Sequence, residues 1–101
     1  MLSTLRLLSR HRRFQLTMYT GTDCQLCDVM KHEISQAAHT VPIQLTTYNI
    51  RDDALPDVHV WRRKYQYDIP VLHLDDREIF RHRVTAQQLI QKLREQSNAD
   101  E

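Results

Sequence analysis

Cysteine and glycine are nearly missing from this chain. It holds two cysteines and one glycine in 101 residues. Two cysteines are too few for the disulfide framework of a small secreted domain, so a reducing compartment or a redox task fits better. No apolar run approaches the ~20 residues of a membrane span. Acidic residues are absent before Asp23, where Arg6, Arg10, Arg12 and Arg13 give +4; the remainder carries −3 and the whole chain nets +1. A balance this close to zero gives no pull toward nucleic acid or a membrane surface. What is present is an ordinary globular mixture, 41% hydrophobic and 27% charged, enough for one domain with one modest core.

Residues 1–13, MLSTLRLLSRHRR, place Leu2, Leu5, Leu7 and Leu8 among arginines and serines. Such an amphipathic, acid-free leader has the composition of a mitochondrial targeting segment. Mitochondria are therefore the expected location, with the cytoplasm as the alternative. A basic leader without any addressing role stays open.

A folded domain is expected over 14–96, followed by a frayed polar tail over 97–101. Phe14, Leu16 and Met18 alternate with polar neighbours, as in a strand. Gly21 permits a tight turn after it. Thr22 and Gln25 have the spacing of a capping box. Cys27, Met30, Ile34 and Ala37 or Ala38 then recur at three and four, which predicts a helix with one apolar stripe. IQLTTYNI predicts a second strand. Val58, Trp61 and Tyr65 line a second helix whose other face carries Arg62, Arg63 and Lys64. VLHL and EIFRH, flanking Asp75-Asp76, predict a hairpin. Thr85 and Gln88 repeat the capping-box spacing before a last helix lined by Leu89, Ile90 and Leu93. The order is βαβ, then α, then ββα. Its βαβ unit implies parallel strands, and the hairpin adds an antiparallel edge. The expected fold class is α/β, a mixed four-stranded sheet with helices on both faces.

Both cysteines fall within this first strand–turn–helix. Cys24 is expected at the helix start, where unpaired amide N–H groups and the helix dipole favour a thiolate. Cys27 lies one turn on, along the apolar stripe. The pattern suits dithiol exchange: Cys24 attacks a disulfide, and Cys27 resolves the mixed disulfide. Other readings stay open. Zinc needs four ligands, and only His32 lies nearby. A cluster bridging two subunits needs one thiolate per chain and an outside thiol. The pair could also be inert core. Trp61 and Tyr65 fit a core better than a stacking platform. The six histidines form no catalytic set, and Arg62-Arg63-Lys64 reads as a solvated helix face.

LTMYTGTDCQLC, YDIPVLHLDDREI and TAQQLIQKL together resemble the glutaredoxins of the thioredoxin fold, and among them a short glutaredoxin-like family. The resemblance implies sheet order 2-1-3-4 and thiol–disulfide oxidoreductase activity. Cys24 is then the nucleophile and Cys27 the resolving thiol. It also implies a cis proline at Pro70 facing the disulfide. The backbone of Ile69 would pair with substrate, with Thr22 and Gln25 completing the binding rim. No bound cofactor or metal is implied. The expected partners are disulfide-bearing proteins, with glutathione as a possible co-substrate, and the chain is expected to be a monomer. Two departures bear on glutathione. Glutaredoxins carry a Lys or Arg just before the motif, and here Asp23 stands there. Their Gly-Gly turn is replaced by FRHRVTA; Arg81, His82 or Arg83 could substitute as anion contacts, or serve as solvated edge charge. The alternatives to an enzyme are a redox-silent binding module on the same fold and a metal or Fe–S carrier.

Overall fold

The computed structural model describes residues 13–99. The leader and its targeting reading lie outside the described residues, apart from Arg13. In chain order the elements are β1 (Phe14–Thr20), α1 (Gln25–Ala37), β2 (Ile43–Asn49), α2 (Val58–Tyr65), β3 (Val71–Leu74), β4 (Arg77–Arg81) and α3 (Ala86–Ala99). The last helix runs to Ala99, so residues 97–99 of the expected polar tail are helical.

The sheet order is β2-β1-β3-β4, as the resemblance implies. β1 pairs parallel with β2 from Phe14↔Ile43 to Thr20↔Asn49, and antiparallel with β3 from Leu16↔Leu74 to Tyr19↔Val71. The parallel pair needs a crossover, which α1 supplies. β3 and β4 turn through Asp75 and Asp76. Asp75 takes φ 55°, a left-handed conformation that aspartate tolerates better than most residues.

Side-chain alternation sorts the two faces. Leu16, Met18 and Leu72 meet Met30, Ile34 and Ala37 of α1 and Leu89 and Leu93 of α3. Tyr19, Val71 and Ile69 meet Ile50, Tyr65 of α2, and Cys27 on the opposite face. The helix stripes expected from sequence face the core, with Trp61 and Ile90 only partly buried. α3 is fastened where it starts: the Gln88 amide donates to Thr85 Oγ1 at 3.1 Å, and Gln88 Oε1 accepts from the Thr85 amide at 3.0 Å. This is the expected capping box. Glu33 of α1 adds a third acceptor, taking the Ala86 amide at 2.9 Å. Thr85→Ala removes one acceptor and should cost ~1 kcal/mol, lowering the thermal midpoint by roughly 4–8 °C. A melting curve followed by circular dichroism checks it.

The second face also contains a buried polar pair that sequence reading missed. His73 is 6% exposed, and its Nε2 lies 2.8 Å from the Tyr65 hydroxyl. Tyr19, Trp61, Tyr65 and His73 pack ring against ring, with Tyr19 and Trp61 stacked at 4.6 Å. Burial pushes the His73 imidazole below its usual range; Lys64 pushes it the same way, and Glu78 opposes. The unfolded chain therefore takes up a proton near pH 6.5 that the folded chain refuses, so stability falls as pH drops below that value. Denaturation between pH 7.5 and 5.5 should show this slope, and His73→Gln, which keeps a hydrogen-bonding side chain without titrating, should flatten it.

Candidate active site

Cys24 is the N-cap of α1. Its backbone is extended, φ −117° and ψ 103°, and its Sγ accepts the Cys27 amide at 3.1 Å. The Cys24 carbonyl accepts the Asp28 amide at 3.2 Å. The sulfur thus does what a Ser or Asp oxygen does at other helix starts. This corrects the capping box expected from Thr22 and Gln25. Thr22 lies two residues before the cap, and its hydroxyl instead accepts from Asn49 Nδ2 at 2.9 Å. Gln25 is the first helical residue and is exposed. Local spacing fits Thr22–Gln25 and Cys24–Cys27 differently only once Asn49, from β2, is seen to take Thr22 away.

Cys24 and Cys27 are joined as a disulfide with Cα atoms 5.2 Å apart. Cys27 is 2% exposed, whereas Cys24 is partly open. An amide aimed at the outer sulfur and an inner sulfur sealed in apolar surroundings make the two chemically unequal. An amide and a helix N-terminus facing a sulfur are the kind of surroundings that favour a thiolate over a thiol.

Next to the disulfide comes the bend at Ile69-Pro70. That peptide bond is cis. Pro70 is fully buried, and Ile69 packs in one cluster with Cys27, against which Cys24 also rests. Ile69, Cys24 and Cys27 are thus brought together in one cluster, and Pro70 follows Ile69 across the cis bond. Thr22 and Gln25 stay on the exposed rim beside Cys24. From the far side the His82 amide donates to the Pro70 carbonyl at 2.7 Å, and His82 Nε2 meets Asp68 at 3.1 Å.

Gly21 does something other than turn the chain. Its φ is not positive; Asp23 takes the left-handed conformation instead, at φ 59°. A Cβ on Gly21 would lie 2.9 Å from Ile69 Cδ1 and 3.0 Å from Arg51 Cδ and Nε. The Ile69 and Arg51 side chains both pack closely over this residue, in the space a larger side chain would enter.

The charged groups fall into two sets. Arg81 grips Glu78 through two bonds of 2.7 Å and reaches Asp68 at 3.3 Å; this holds the Glu78 carboxyl below its usual range. With His82 also on Asp68, two of the three residues that could have replaced the Gly-Gly turn already have acidic partners. Arg62 is paired with Asp53. Arg51 is different. Its guanidinium donates to the Thr22 carbonyl, inside the loop that leads to Cys24. Sequence reading missed it because it lies 27 residues beyond Cys24. The available signal was positional: in a parallel pair, a base just after β2 sits beside whatever follows β1.

Among the described residues there is no cluster of three or more His, Cys, Asp or Glu that could hold a metal, and no helix long and apolar enough to cross a membrane. A family model described as glutaredoxin-like domain (DUF836) matches residues 15–94. The chain belongs to the glutaredoxin-like family. A solved relative agrees: the X-ray structure of a structural-genomics target protein, XcR50, from X. campestris is 28% identical. The match covers 79% of this chain and 96% of that one, with a TM-score of 0.63. The glutaredoxin-like region therefore takes in the cysteine pair, the cis proline and all but the last turn of α3.

Proposed function

We propose that this glutaredoxin-like protein is a thiol–disulfide oxidoreductase acting on protein disulfides or glutathione mixed disulfides. The observation that carries the reading is the inequality of the two sulfurs: Cys24 partly open under the Cys27 amide, and Cys27 sealed behind it. The reduced Cys24 thiolate attacks one sulfur of a substrate disulfide. A Cys24–substrate disulfide forms, and the other substrate sulfur leaves as a thiolate that takes a proton from water. Cys27 then gives up its proton and attacks Cys24 Sγ, expelling the second substrate thiolate. Two electrons have passed from the Cys24–Cys27 dithiol to the substrate, and the chain holds the disulfide seen in the structure.

Ile69 and Pro70 supply the substrate platform in this reading. Proline has no N–H to compete beside the sulfurs, and an extended substrate backbone can pair alongside Ile69. Thr22 and Gln25 border the same cleft. The acid-free leader supports a mitochondrial location. No resident cofactor is assigned; glutathione enters only as substrate or reductant. The test is single-turnover exchange of the reduced protein with hydroxyethyl disulfide, followed by thiol titration. The expected result is loss of two thiols per chain, faster than with an equal concentration of free cysteine. Exchange no faster than free cysteine would refute the activity.

A further inference from the structure

The residue just before the motif is acidic, Asp23, and Arg51, from just past β2, brings a cation to the same loop. Arg51 is exposed, just past β2. Three contacts fix it. Its own amide donates to Asn49 Oδ1 at 2.9 Å, Asn49 Nδ2 donates to Thr22 Oγ1 at 2.9 Å, and its guanidinium donates to the Thr22 carbonyl. Its stem lies against Gly21, at the point where Ile69 also arrives. The guanidinium therefore lies beside the Gly21-Thr22 segment that leads to Cys24, where the Ile69 side chain also packs. Among the described residues no acidic side chain pairs with it, unlike Arg62 and Arg81. One of its five N–H groups serves Thr22, and a guanidinium presents the rest in a fork matched to a carboxylate. The charged residues that flank it and the motif along the chain, Asp23, Asp28 and Asp52, are acidic and exposed. Without Arg51 they would repel an anionic substrate.

We propose that Arg51 is a specificity-determining residue that selects disulfides bearing a carboxylate beside the scissile bond. This rests on the exchange activity proposed above. A glutathionyl carboxylate and an Asp or Glu next to a protein cysteine present the same group.

The test compares rates for three small disulfides: dithiodiglycolate (anionic), hydroxyethyl disulfide (neutral) and cystamine (cationic), with the wild type, Arg51→Gln and Arg51→Lys. In Arg51→Gln the anionic-to-neutral rate ratio should fall about tenfold, equivalent to ~1.4 kcal/mol. Arg51→Lys should retain part of it, and added salt should lower the wild-type ratio toward the Gln value. Loosening of the loop would slow all three disulfides together and leave the ratio alone. A ratio unchanged by Arg51→Gln overturns the assignment. Failure of the wild type to exchange with any of the three refutes the exchange activity instead. Oxidised glutathione and a peptide disulfide with Glu or Gln beside its cysteine separate the two sources: the first requires an Arg51-dependent rate with glutathione, the second one with the Glu peptide only, and dependence with neither counts against the proposal.

Discussion

Cys24→Ser should reduce disulfide exchange to background, a loss of about 10³-fold or more, whereas Cys27→Ser should complete the first half of the reaction and stop. The asymmetry follows from position. Cys24 is the sulfur a substrate can reach, and its hydroxyl replacement is too poor a nucleophile to open a disulfide. Cys27 is 2% exposed and meets substrate only through Cys24. Removing it leaves a Cys24–substrate disulfide with no internal thiol to resolve it, so a mixed disulfide should accumulate and be visible by intact mass. Serine places an unpaired hydroxyl in an apolar cluster, at ~1–3 kcal/mol. Cys27→Ala removes the thiol without that burden and should trap the same adduct. Turnover surviving in Cys24→Ser, or an adduct on Cys27 rather than Cys24, would reverse the assigned roles.

Tyr65→Ala should be the most damaging single truncation on the α2 face. Tyr65 is among the largest fully buried side chains. It closes that core between Tyr19 at 5.3 Å, Trp61 at 5.8 Å and His73 at 5.8 Å, centroid to centroid. Emptying its site should cost ~3–5 kcal/mol, a large share of the ~5–15 kcal/mol that holds a domain folded. Tyr65→Phe keeps the ring and removes only the hydroxyl. His73 then loses its partner while still buried, for ~1–3 kcal/mol. Urea denaturation of both variants, followed by Trp61 fluorescence, separates cavity from hydrogen bond. Equal losses in the two would mean that the ring's packing contributes nothing beyond its hydroxyl.

Much of the architecture could be read without coordinates, because periodicity reports directly on burial. The Cys27, Met30, Ile34 and Ala37 stripe, the Thr85–Gln88 cap and the Asp75-Asp76 turn are local patterns, and each is present. The unequal cysteines were legible for the same reason: one falls on the stripe and the other before it. What escaped depends on contacts between distant segments. Thr22 loses its capping role to Asn49, and Arg51 reaches Thr22 across 29 residues; both follow from the parallel β1–β2 register rather than from spacing. Gly21 reads as a turn residue until the Ile69 and Arg51 side chains are found packed over it. Tyr65 reads as a core aromatic, but its hydroxyl's partner sits on another element, so the His73 pair has no sequence signature. The reach of α3 to Ala99 is not legible because polar SNA carries no apolar period, although nothing in it breaks a helix.

The most direct measurement is equilibration of the purified protein against a graded series of dithiothreitol redox buffers, with free thiols counted after rapid acid quenching. Interconversion of dithiol and disulfide as one two-electron step, with a midpoint in the range of about −200 to −270 mV spanned by glutaredoxins and thioredoxin, is the expected result. A pair that stays fully oxidised or fully reduced across the whole series would contradict a redox role for Cys24 and Cys27.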